Sequence, residues 1–353
     1  MYRECISCDD ILLVPRYSDI KSRNDCDPSV DVYSLPLLSS CMDTVYSIEL
    51  DELLTEKKIM VMVHRYFKDY KEQLDNSPGF STDYRFYAVG SIMTDKGKAW
   101  IDGLLDVGIE HFVVDMAHGD SMACYETTKY LTSKSTSIKV IAGNVAVKSG
   151  FRRLQEAGAW AIRCGIGSGS ICSTRTQTGF GVPLLTSIED CAMVKENSYL
   201  IADGGVKYHG DIPKVISFGA DFVMSGRLWA STDLAAGDCY DKNKEFLCEY
   251  NKIDSYNKIT QYSSPRSLVA YKSYRGMASS AARQGVFKDS SIEGVSGLIP
   301  YVGKTEDFIN DLTNNLKASL SYAGAYNWKK FRMNAKKIRI SKASWDESQT
   351  FVI

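Results

Sequence analysis

The chain has 353 residues, 44% hydrophobic and 24% charged, a balance that can bury a large core and excludes intrinsic disorder. Lys and Arg number 42 against 43 Asp and Glu, a net charge of -1, so no global field favours a nucleic-acid polymer or an anionic membrane. No apolar run reaches the roughly 18 residues of a membrane span, MYRECISCDD lacks the basic and apolar regions of a signal peptide, and the cysteines are scattered, so a cytoplasmic chain with reduced thiols is expected.

Short β-branched or apolar runs ending in small or polar residues alternate with amphipathic stretches of helical length, the pattern of parallel βα units. Strands are predicted at 35–40, 58–64, 84–90, 111–117, 139–145, 161–167, 199–205 and 221–226. Helices are predicted between them, among others at 94–107, 121–132, 148–157, 185–197 and 210–218, most opening on Ser, Thr or Asp as N-caps. Eight such strands favour a closed (β/α)8 barrel, a TIM barrel forming one domain over 1–353, and in such barrels the chemistry gathers at the C-terminal strand ends. Those ends read His64, Asp115, Asn144, Gly167, Asp203 and Gly226. Two loops are long: 168–184, and an insertion over about 237–300 with a hairpin near 245–274.

The segment GIGSGSICSTRTQTGFG (165–181) lets backbone groups approach a ligand closely, which suits a phosphate or a cation held by carbonyls, and equally a plain tight turn. It lacks the lysine of a P-loop. Cys172 sits in this loop rather than in an apolar run, where amide donors and cations favour a nucleophilic thiolate. In IADGG (201–205), Asp203 can accept two ribose hydroxyls or cap the next helix. Arg227, in MSGR (224–227), can meet a phosphate.

DDILLVP (9–15), SSCMDTV (39–45), AGNV (142–145), GIGSGSIC (165–172), IADGG (201–205) and YRGMAS (274–279) together resemble the inosine monophosphate dehydrogenase and guanosine monophosphate reductase family, in family order over residues 5 to 325. The resemblance implies a homotetramer of barrels with a mobile catalytic loop and flap, in which a cysteine thiolate attacks C2 of a purine nucleotide and a hydride moves between C2 and a nicotinamide. Cys172 falls on that cysteine, Thr174 on the residue activating water or ammonia, and Glu293 on its proton partner. Ser170, Gly204, Gly205 and Gly226 match the phosphate site, joined by Arg227; Asp203 matches the ribose ligand, and Tyr274, Gly276 and Met277 the base segment. Asp115, with Asn144 and Arg65, matches the nicotinamide side, and the carbonyls of Gly167, Gly169 and Cys172 a potassium site.

About twenty residues separate His64 from Tyr84, leaving no place for the inserted regulatory domain of most dehydrogenases. STRTQTGFG after the cysteine resembles the reductase pattern, and 278–292 contains Arg283 but no Arg-Tyr pair, the usual hydrolytic base. These features imply a GMP reductase using NADPH. The alternatives are an IMP dehydrogenase without the regulatory domain, favoured by KSYRGMAS and EGVSGLIPYVG, and a silent nucleotide-binding barrel, suggested by Arg65, His118, Ser168 and Arg227 at family positions that usually differ.

Overall fold

The computed structural model describes residues 3–78, 82–252, 268–276 and 294–348. Its centre is an eight-stranded parallel sheet: β1 (Leu37–Leu38), β2 (Val61–Val63), β3 (Arg85–Val89), β4 (His111–Asp115), β5 (Lys139–Val145), β6 (Ala161–Cys164), β7 (Tyr199–Asp203) and β8 (Phe222–Met224). Each strand pairs with the next from β2 to β8, and β8 pairs back onto β1, with Leu37 opposite Val223. Between β1 and β2 there is no ladder. Ser39 bridges the seam, its N–H donating to the Met60 carbonyl at 3.1 Å and its Oγ accepting the Met62 N–H at 2.9 Å. The result is a (β/α)8 barrel.

The period of two along each strand sorts the side chains. Phe86, Ala88, Val113, Ile141, Ile201 and Met224 fill the barrel, whereas Tyr87, Val89, Phe112, Val114, Val140 and Leu200 pack into the layer that includes the helices. At the N-terminal mouth Tyr33 meets Tyr84, Trp160 and Phe222 edge-on, with centroids 5.8, 6.2 and 5.6 Å away, an aromatic plug that leaves the other mouth for chemistry.

Helices Asp95–Asp106 and Met122–Thr132 begin where Thr94 and Ser121 accept hydrogen bonds from Gly97 N and Cys124 N, as the capping pattern predicts. The helix expected at 185–197 is shorter, Leu184–Ala192; beyond it Lys195 turns away to pair with Asp221 at 2.7 Å.

Within 237–300 the described residues form a four-stranded antiparallel sheet, ordered Phe246–Cys248, Cys239–Tyr240, Tyr271–Arg275, Ser296–Pro300. The middle of the stretch expected as a hairpin near 245–274 lies outside the described residues; among these, Phe246–Cys248 forms a hairpin with Cys239–Tyr240, and strands of two to five residues are too short to show a period. Strand Ile11–Val14 pairs with Lys336–Arg339. Among the described residues no helix is long and apolar enough to cross a membrane.

Candidate active site

The C-terminal ends of β4 to β7 converge on one buried cation. Arg163 donates to Asp115 at 2.7 Å and to Asp203 at 2.9 Å, and Asn144 Nδ2 donates to the same Asp203 oxygen at 2.7 Å. Burial alone would raise the Asp115 carboxyl, but the guanidinia of Arg163 and Arg65 override it and hold the pKa below its usual value. Arg65 approaches Asp115 at 3.5 Å. Arg163 is absent from the sequence-derived candidates, yet AIRC carries the signal: an arginine on a strand buried along its whole length demands carboxylate partners.

The loop after β6 is interlocked with the turn after β7. A Cβ on Gly165 would lie 2.0 Å from the Asp203 carbonyl oxygen, so only glycine fits, and Ser168 Oγ donates to that same oxygen at 3.1 Å. Further on, the segment expected as loop contains a short helix, Thr174–Thr178, ended by Gly179 at φ 76°. Val182 N–H then returns to the Ile166 carbonyl at 3.2 Å, and Arg175 donates to the Val182 carbonyl at 3.0 Å. The TGFG turn thus closes the loop on itself.

Cys172 is exposed, and its Sγ lies 3.1 Å from Thr174 Oγ1. Among the ten cysteines only Cys5 is also exposed; burial pushes the thiols of Cys124 and Cys239 up to about 11 and 12, which keeps them protonated and unreactive. Val295 N–H donates to the Ile171 carbonyl and Gly276 N–H to the Val295 carbonyl, both at 3.0 Å, tying strand Tyr271–Arg275 to the loop. Arg275 Nε pairs with Asp43 at 2.9 Å, which ties the same strand to the segment after β1. Tyr274 is buried, its hydroxyl donating to Met42 Sδ at 3.8 Å, and it crowds Gly226: a Cβ there would meet Tyr274 Oη and Met42 Sδ at 2.6 Å.

These residues surround a cavity of about 290 Å³. Cys172, Thr174, Asp203, Gly204, Gly226, Tyr274 and Gly276 line it, together with Asp115, Asn144, Arg65, Gly167 and Gly169. Ser170 lies between Gly169 and Ile171, which line it, whereas Gly205 borders a separate small cavity with Ser168 and Lys207. Arg227 does not line it and borders a second cavity instead. Met277, Arg283 and Glu293 lie outside the described residues.

His64 is a buried imidazole stacked on Phe67, centroids 4.3 Å apart, and its Nδ1 accepts the Tyr66 N–H at 3.1 Å. Burial lowers its pKa to about 4, against a smaller raising effect of Asp43. The unfolded chain therefore takes up this proton first, near pH 6.5, and His64 costs nothing above that pH. Stability is expected to fall by about 1.4 kcal/mol per pH unit between about 6.5 and 4, roughly 3 kcal/mol in all. Denaturant unfolding across this range checks it, and His64→Gln should flatten the slope.

A family model described as the IMP dehydrogenase / GMP reductase domain matches residues 5–351. The chain is 36% identical over 264 residues to an inosine-5'-monophosphate dehydrogenase of Chlorobaculum parvum, covering 70% of this chain and 49% of that protein. With that of Aquifex aeolicus it shares 38% over 260 residues, 70% of this chain and 48% of the relative, so it spans about half the length of these two. A GMP reductase of Lactobacillus acidophilus is 30% identical over 329 residues, 91% of each chain. With the family model running nearly end to end over a barrel of this construction, the chain belongs to the IMP dehydrogenase and GMP reductase family.

Proposed function

We propose that the protein is a GMP reductase, converting GMP to IMP and ammonia with NADPH. The observation that supports it is the pairing of an exposed Cys172 thiol with Thr174 at 3.1 Å, on the rim of a cavity whose floor is the Arg163 carboxylate cluster. The Cys172 thiolate bonds to purine C2. The amino group leaves C2 as ammonia, taking a proton through Thr174, and after hydride reaches C2 the C–S bond breaks, returning the thiolate and IMP. Glu293, which immediately precedes the Gly294 bridged to Cys172, is the proton partner of Thr174. Asp203 accepts the ribose hydroxyls, and the phosphate lies against Ser170, Tyr274 and the glycine turns at 204–205 and 226.

NADPH supplies the hydride when bound. The residues around Asp115 fit a nicotinamide: Arg65, its Nε 3.5 Å from the Asp115 carboxylate and its Nη2 donating to the Asp115 carbonyl at 3.3 Å, lines the cavity beside Asn144, where a guanidinium can donate to a carboxamide oxygen. Potassium fits less well. Of its three expected carbonyls, that of Gly169 already accepts the Cys172 N–H at 3.1 Å, and the Arg175 side chain packs where a Cβ of Gly167 would stand, 2.6 Å from it. No step runs through a cation. Assembly as a homotetramer is part of the same proposal.

The second reading, an IMP dehydrogenase lacking a regulatory domain, is favoured by the higher identity to dehydrogenases. A direct assay separates the two. GMP with NADPH is expected to consume the reduced cofactor and release ammonia, while IMP with NAD gives little XMP; steady XMP formation reverses the assignment.

A further inference from the structure

Beside the phosphate end of the site lies a second cavity of about 750 Å³, within the size range of small-molecule sites. It runs between the turn after β7, the short helix Gly226–Ala230 and the long helix Thr305–Tyr322. Arg227 borders it, half-buried, with no hydrogen bond or ion pair to any described residue. Lys207 borders it too, but is held by Asp9 at 2.5 Å, so the guanidinium is the uncommitted cation.

The facing wall is of opposite character. Asp307, Asp311 and Asn315 all line the cavity, and their spacing of four places them on one face of the long helix. Asn315 Nδ2 holds the His209 Nδ1 at 2.9 Å, which ties this wall to the β7 turn. At the rim Tyr208 and Tyr322 are 56% and 61% exposed, the first tilted toward Trp345 with centroids 6.3 Å apart and the second with the Arg23 guanidinium 5.5 Å from its ring, each leaving aromatic surface open.

We propose that this cavity binds a second nucleotide, a guanosine monophosphate, with its phosphate on Arg227 and its base between the tyrosine rim and the long helix. A free guanidinium suits a phosphate, and exposed rings suit a flat base. A carboxylate with two acceptors matches the adjacent N1–H and N2–H donors of guanine, a pair that adenine and hypoxanthine lack. Because Arg227 directly follows Gly226, which lines the first cavity, the two sites share one turn. The nucleotide class is that of the function proposed above, but the second site does not depend on the direction of the reaction.

Calorimetric titration of the full chain with GMP tests it. Two binding events per chain are expected. Asp311→Asn and Asn315→Ala, both on exposed positions of the helix, should each weaken one event about tenfold and leave turnover unchanged, whereas Asp203→Asn should weaken only the other. Inorganic phosphate should compete at the helix-dependent site, and AMP should bind there at least tenfold more weakly than GMP. A single event insensitive to both helix substitutions overturns the second site, and AMP binding as tightly as GMP overturns the guanine assignment. If only the helix-dependent event is found, the second site stands and the proposed function fails.

Discussion

A Cys172→Ala protein is expected to lose turnover by at least about a thousandfold while binding GMP almost as the parent does. The expectation follows from a division of labour. On the proposed route the thiol makes the covalent bond to C2, without which the purine is a poor hydride acceptor, whereas the same proposal assigns affinity to Asp203, Tyr274 and the glycine turns, which the substitution leaves alone. Peptide mapping after alkylation supplies an internal control, because Cys5 and Cys172 are both exposed but only Cys172 lines the cavity. Bound GMP should shield Cys172 and leave Cys5 open. Turnover near the parent rate in the alanine variant would overturn the covalent route.

The largest effect on stability is expected at Arg163. Arg163→Met leaves Asp115 and Asp203 near one another in a buried place without their shared cation, a change of about 3–5 kcal/mol. The sign reverses with pH. In the parent, the lowered Asp115 carboxyl contributes stability that is present above its unfolded pKa and is lost as pH falls through the folded value. In the variant burial acts unopposed by Arg163, the carboxyl rises, and acidification should restore part of the lost stability. Urea unfolding at pH 7 and pH 5 measures both, and Arg163→Lys, which keeps a charge but not the fork that reaches two carboxylates, should fall between. An equal loss at both pH values would assign Arg163 a packing role only.

The barrel was readable because burial, period and strand ending agree in each βα unit, and capping residues such as Thr94 and Ser121 mark where helices begin. The sheet within 237–300 was not, since its strands are too short for alternation to stand out and its partners are brought together across long stretches of chain. Within the site, Cys172 and Asp203 were legible from glycine turns at strand ends. Arg163 does not stand out by position, because nothing in a strand-interior site distinguishes it from a packing residue except its charge, which cannot be buried alone. Arg227 shows a different limit. Its neighbour Gly226 meets the first cavity and it meets the second, and no spacing rule tells on which side of a tight turn a long side chain will lie.

The missing ladder between β1 and β2 makes the barrel a hoop with one joint. Seven seams are zipped by backbone pairing, and the eighth is pinned only by Ser39 and, nearer the N-terminal mouth, by Ser34, whose N–H donates to the Lys58 carbonyl at 3.0 Å. That joint leads straight into Ser40, Cys41 and Met42, which border the site. The wall can therefore spread there without breaking a strand pair, so the amides of Ser39 and Met62 should exchange with solvent sooner than those of the central strands. A ligand wedged beside Met42 would press on the weakest line of the cylinder, and loading the site should be felt as a slowing of that exchange.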